Sequence, residues 1–133
     1  MIPGALIGDI IGSTYESRKR RTKSKDFPLM SELSRFTDDS VMTMAVAHTL
    51  MQWKKGAKID ESEYESAVIE NMRSFGRKYE HVGYSRAFSA WLFSENPQPY
   101  NAFTNGAAMK ISPVAWWFDD LQTAEKFAGI TAG

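Results

Sequence analysis

Two aspartates stand side by side in Phe36-Thr37-Asp38-Asp39-Ser40, flanked by hydroxyls and followed at once by the nearly unbroken apolar run Val41 to Trp53. Adjacent carboxylates repel, and holding them beside a core is costly unless a positive charge lies between them. A divalent cation with hard oxygen ligands meets that need, and a buried helix behind the ligands would hold them rigidly. Thr, Ser and Asp are equally the residues of a helix N-cap, and acids in a first turn suit the helix dipole. These residues alone leave ligand and cap both open.

Two further stretches carry possible chemistry. Asp9 and Glu16 are seven residues apart, which on one helix returns them to nearly the same face, two turns from each other. Two acids on one face of a Gly-rich helix could line a polar cleft, or Glu16 could be a solvated helix-end residue. Asn105-Gly106-Ala107-Ala108-Met109 reads as a turn opening a small-residue helix. Its backbone N–H groups could hold a phosphate, although a plain turn explains it equally simply.

The elements that must position these groups read as helices throughout. Residues 3 to 16 form the first, with Pro3 suited to its first turn. Gly4, Gly8 and Gly12 share one face. Glycine is a poor helix former, so the spacing suggests close approach of another backbone at Gly4, with packing or ligand room open for Gly8 and Gly12. Residues 17 to 35 form a connector: a solvated, mobile loop, long enough to act as a lid. Helix two runs from about Ser40 to Trp53 and, being apolar on most sides, is central; His48 is expected inside it as a hydrogen-bonded core residue. Lys54-Lys55-Gly56 ends it.

Asp60 and Glu63 resemble a capping box, with Ile59 and Tyr64 as the hydrophobic staple, so an amphipathic surface helix starts near Asp60. Gly76 is expected to weaken its end. A short helix spans Ser85 to Phe93, the prolines of Glu95 to Pro99 force a loop, and Ser112-Pro113 caps a helix through Phe118. Asp119 or Asp120 caps the last helix, Leu121 to Ala132. No segment alternates with a strand period, so the fold class is all-α, with 1–133 a single helical domain.

Composition narrows the function classes. The 133 residues suffice for one domain with a sizeable core, and the absence of cysteine excludes disulfides and thiolate metal sites. Nothing resembles a signal peptide, and no stretch is long and apolar enough to span a bilayer, so a cytoplasmic location is the default expectation. The formal net charge is zero, yet six basic residues crowd into Arg18 to Lys25, leaving ten basic against sixteen acidic residues elsewhere. An acidic body with one basic loop is not the footprint of a nucleic-acid binder.

Three motifs, in order, resemble one known family. Gly4 to Glu16 (GALIGDIIGSTYE), Phe36 to Thr43 (FTDDSVMT) and Asn105 to Pro113 (NGAAMKISP) are similar to the ADP-ribosylglycohydrolase family, whose relatives include the dinitrogenase-reductase-activating glycohydrolase. The resemblance covers essentially the whole chain, aligned to the N-terminal half of the family. It implies an all-α fold with two Mg²⁺ or Mn²⁺ ions in a central cleft.

By that resemblance Thr37, Asp38 and Asp39 are metal ligands, and Glu16 and Asp39 the catalytic acids. Asp9, Gly12, Asn105, Gly106, Ala107 and Met109 contact substrate. The family usually has Arg where Lys110 stands. It also carries a second acidic motif, of the Asp-Thr-Asp-Thr kind, in a C-terminal half; the chain read here stops at Ile130-Thr131-Ala132-Gly133 without it. The expectation is therefore a truncated product, half of a split enzyme or a small relative. The implied activity is hydrolysis of an ADP-ribosyl bond on a protein side chain or small molecule, with a second chain or copy completing the site. The alternative is a non-catalytic ADP-ribose-binding or scaffold module.

Overall fold

A computed structural model describes residues 2–17, 19–100 and 105–133, and these form helices and turns without a strand. In chain order they are α1 (Ile2–Gly12), α2 (Asp38–Leu50), α3 (Glu61–Lys78), α4 (Arg86–Phe93), a 3-10 turn at Asn105–Ala107, α5 (Ser112–Trp117) and α6 (Leu121–Ala132). The all-α expectation is met. Arg18, the first residue of the basic run, lies outside the described residues.

The apolar run after Asp39 makes α2 the central rod. It packs against α1, α3 and α5. Met42, Ala45 and Val46 have no exposed surface, and with Tyr64, Val68 and Met72 of α3, Val114 of α5 and Phe127 of α6 they form the core. The ring of Phe127 stacks on Phe118 at 4.6 Å and meets Tyr64 edge-on at 4.9 Å. Buried polar groups are paired across helices: Tyr64 Oη lies 2.7 Å from Thr131 Oγ1, which itself donates to Phe127 O. Asn71 Nδ2 donates to Thr49 Oγ1 at 3.1 Å, joining α3 to α2.

Helix boundaries follow their caps. Asp60 accepts from the N–H groups of Ser62 and Glu63, and Asp120 from that of Thr123, as their spacing implied. Three expectations shift. α1 stops at Gly12 rather than residue 16, because Tyr15 N–H bonds Gly12 O in a tighter turn. α2 stops at Leu50 rather than Trp53, where Gln52 and Trp53 make the same tightening. Ser112 does not cap α5; it is the first helical residue, Ile111 is the cap position, and the Ser112 hydroxyl is buried without a partner.

Two side-chain expectations are also corrected. His48 is exposed, its ring 5.5 Å from that of Phe75. With Met44 and Met51, which are 40 % and 72 % exposed, it lies on the outer side of α2. Hydrophobicity along α2 is too uniform to mark which side faces out. Gly4 makes no close contact, since a Cβ there, or at Gly8 or Gly12, would meet nothing within 4 Å. Gly76, two residues before the end of α3, is buried where Leu92 of α4 presses on the backbone, and a Cβ would fall 2.5 Å from Leu92 Cδ2.

The described residues of the connector make no regular element. Residues 19–26 are all exposed, while the stretch after them is tied to the end of α1. Tyr15 Oη donates to Pro28 O at 2.7 Å, its ring meets Phe27, and Arg35 N–H donates to Ser13 Oγ.

Replacing Gly76 tests the α3–α4 contact. Leu92 has no exposed surface, so it cannot swing aside without repacking. Overpacking costs ~1–3 kcal/mol, and the helix propensity gained by Ala returns ~1 kcal/mol. Gly76→Ala is expected to lower the urea midpoint, and Gly76→Val to lower it further.

Candidate functional site

The site is assembled around the junction of α1 and α2. Asp9, the one buried residue of α1, points its carboxylate at the N-terminus of α2. Oδ2 accepts Thr37 N–H at 2.8 Å, Ser40 N–H at 3.2 Å and Ser40 Oγ–H at 2.5 Å, while Oδ1 accepts Thr37 Oγ1–H at 2.6 Å. Thr37 also N-caps α2, accepting Asp39 N–H at 3.3 Å. A first turn of α2 that already holds Asp38 and Asp39 thus gains a third carboxylate, placed where the helix dipole favours negative charge.

Glu16 arrives at this junction by another route than the helical period. It follows the Ser13–Tyr15 turn, beyond the end of α1, and is exposed. Even so, one oxygen each of Asp9, Glu16 and Asp39 lies within 4.8 Å of the other two. Burial raises the Glu16 pKa, and Asp39 and Asp9 add to the rise, while Arg35 draws it back. Burial and the charge of Asp9 raise Asp39. Convergent hard oxygens with elevated proton affinity suit a hard divalent cation, which binds in competition with protons.

Asp38 faces elsewhere. It lines a cleft of about 100 Å³ together with Asn105, Gly106, Ala107, Met109 and Lys110, while Phe88, Trp91 and Met72 form apolar wall. Of the residues singled out in the sequence, the cleft therefore joins Asp38 to the Asn-Gly turn. Asp9, Gly12, Glu16, Thr37 and Asp39 are not in its wall. Burial lifts the Asp38 pKa from the ordinary 3.8 to about 6, with its own backbone N–H lowering it and Asp39, Glu16 and Asp9 raising it.

Two features escaped the sequence reading. Lys110 is 7 % exposed and forms no ion pair among the described residues, and burial lowers its pKa. Desolvating a lysine without an acid is unfavourable, so the cleft wall carries an unmet demand for an anion. The loop between α3 and α4 also wraps Asp38: Val82 O accepts Asp38 N–H at 3.2 Å, and Gly83 at φ +117° lies against the carboxylate. The dipeptide Gly83-Tyr84 was the available signal, since glycine is the residue that takes positive φ readily.

Residues 1–133 match the family model described as ADP-ribosylglycohydrolase. No curated protein gave a match.

Two outcomes follow from the junction. Asp9→Ala strips four hydrogen bonds from α2 and leaves two buried N–H groups unmet, so a loss of about 3 kcal/mol is expected in chemical denaturation; a loss below about 1 kcal/mol would mean that α1 does not depend on this contact. Asp38 sets a pH dependence. With its folded value near 6 and its unfolded value near 3.8, the cation-free folded state binds more protons between those values. Stability is then fully present below the lower value and is lost as pH rises through about 6. Asp60 and Asp120, held below the ordinary value by their capping bonds, act at lower pH. Urea titrations at about pH 5 and about pH 7 should show the wild type more stable at the lower pH, and Asp38→Asn should shrink the difference.

Proposed function

The chain belongs to the ADP-ribosylglycohydrolase family, and from that premise we propose that it hydrolyses the bond between ADP-ribose C1″ and a modified arginine or serine side chain, or a related small molecule. The observation that carries this reading is the meeting of Asp9, Glu16 and Asp39 within 4.8 Å, one residue from Asp38 in the wall of the cleft. Thr37, Asp38 and Asp39 are the proposed ligands of Mg²⁺, or of Mn²⁺, in a two-ion site. A cation held there would supply positive charge that polarises the substrate.

The chain's own residues have distinct tasks in this reading. Asp9 is a support: its Oδ2 already accepts three donors, so it holds Thr37 and Ser40 in place. Thr37 gives its hydroxyl proton to Asp9 and one lone pair to Asp39 N–H, which leaves one lone pair to offer outward. Glu16, exposed and with raised pKa, is suited to hold a proton beside the bond that breaks. Asp39 stabilises the oxocarbenium-like charge that develops at C1″. Water adds at C1″, the side-chain atom leaves with a proton, and ADP-ribose is the product.

Asn105, Gly106, Ala107 and Met109 take the phosphates, and Lys110 supplies charge where its family relatives usually present Arg. Gly12 gives room beside the ribose, being free of any contact a Cβ would meet. The cleft holds about 100 Å³, below the roughly 300–1,000 Å³ of a typical ligand pocket, so part of ADP-ribose lies outside it. Two carboxylates and a hydroxyl are also few for two dications, each of which takes about six ligands. A second chain or copy, completing both sets of contacts around residues 1–133 as one helical unit, accounts for the shortfall. We place this activity in the cytoplasm. No described helix is long and apolar enough to cross a membrane, and the partner is an ADP-ribosylated protein or small molecule rather than nucleic acid.

The test is release of ADP-ribose from ADP-ribosylated arginine and serine peptides, with added Mg²⁺ or Mn²⁺ and with chelator. Chelation should abolish release, and Asp38→Ala and Asp39→Ala should each lower it by about 100-fold or more. Activity surviving in both variants overturns the mechanism. Calorimetric binding of ADP-ribose without turnover would identify a non-catalytic binding module instead.

A further inference from the structure

The basic run takes no part in the chemistry derived above. Five of the seven residues from Lys19 to Lys25 are Lys or Arg, and all seven are exposed. None of the five joins an ion pair among the described residues, where the pairs are Lys55–Asp119 and Lys126–Glu61. A chain with sixteen acidic residues therefore leaves its densest positive charge unanswered. The hydrogen bonds of this stretch use other groups. Arg20 N–H donates to Ser17 O at 2.9 Å, Ser24 N–H to Thr22 Oγ1 at 3.1 Å and Ser24 Oγ–H to Asp26 O at 3.0 Å.

Both ends of the run stand at the acidic cluster. Lys19 is three residues from Glu16, so their Cα atoms are at most about 11 Å apart. At the other end the Phe27 ring meets Tyr15, the chain neighbour of Glu16, edge-on at 5.2 Å, and Tyr15 Oη donates to Pro28 O at 2.7 Å. The run is thus a closed loop with its feet beside Glu16. A polypeptide that brings a side chain to Glu16 and Asp39 carries its flanking residues alongside this loop. Salt screens exposed charges only beyond about 8–10 Å, so the loop and those residues feel each other.

We propose that residues 19–25 form a docking strip for acidic residues flanking the modified side chain of a protein substrate. This rests on the hydrolytic reading above and names the class of sequence it selects. Other anions fit less well. The cleft that takes the phosphates has Lys110 in its wall and none of residues 19–25. Surfaces for single-stranded nucleic acid interleave aromatic rings for stacking, and residues 19–25 include no ring. Exposed cations at the rim of a site act chiefly on encounter rate and its salt dependence, which suits choice of partner.

Two ADP-ribosylated peptides of equal length, one with glutamate flanks and one with glutamine flanks, test this through kcat/KM. At low salt the full chain should prefer the glutamate peptide by about 10-fold or more, and the preference should shrink as salt is added. The combined variant Lys19→Ser, Arg20→Ser, Arg21→Ser, Lys23→Ser and Lys25→Ser should lose the preference, with a level melting temperature because all five side chains are exposed. No preference in the wild type, a preference that persists in the variant, or an equal loss on both peptides overturns the proposal. Fluorescence anisotropy with the unmodified glutamate peptide separates this from failure of hydrolysis. If no peptide releases ADP-ribose, the hydrolytic reading falls; salt-sensitive binding that the variant loses then sustains the docking strip, and absence of binding removes it. Tighter binding of oligouridylate or of phosphatidylserine vesicles than of the glutamate peptide also overturns it.

Discussion

The bond set between Asp9 and the start of α2 is the constraint on which the site depends. One carboxylate takes two backbone N–H groups and two hydroxyls from Thr37 and Ser40. It therefore does for α2 what a capping side chain does locally, but from another helix. The consequence is geometric: α1 cannot move relative to α2 without exposing those donors unmet in a buried place. Everything carried by the first turn of α2 inherits that rigidity.

The same contact has an electrostatic consequence. Burial is the first cause of the raised proton affinity at Asp39, Glu16 and Asp38, and the negative charge that Asp9 brings into a turn already holding two adds to it. The helix dipole offsets part of this, but a dipole end amounts to roughly half a unit charge. Among the described residues Arg35 is the cation that acts on the cluster, and it acts on Glu16. The arrangement is thus less stable than a neutral junction would be, and a dication held among Asp9, Glu16 and Asp39 would relieve the imbalance. A structure selected for stability alone would have little reason to keep it.

Much of this was legible in the chain, for a physical reason. Capping is local chemistry, so Asp60 and the Asp119-Asp120 pair declared their helices, and a long apolar run after Thr37-Asp38-Asp39-Ser40 declared the central rod. What depended on tertiary contact was hidden. The Leu92 side chain pressed against Gly76 cannot be read from the chain, and His48 looks buried because the α2 sequence is apolar nearly all round. Glu16 was paired with Asp9 through a helical period, yet the helix ends at Gly12 and a turn delivers the side chain instead. Val82, Gly83 and Tyr84 could not be linked to Asp38, some forty residues away, by any periodicity.

The two adjacent aspartates are better understood through direction than through proximity. Successive residues of an α-helix point about 100° apart. Asp39 accordingly turns toward Asp9 and Glu16 at the α1 junction, while Asp38 turns toward the cleft and the 82–84 loop. A pair that looks like one doubled ligand in the sequence is, in the fold, the hinge between two places. One is a compact set of oxygens and the other a cleft with an unpaired lysine and aromatic walls. The two places share a rigid base because both aspartates stand on the turn that Asp9 holds.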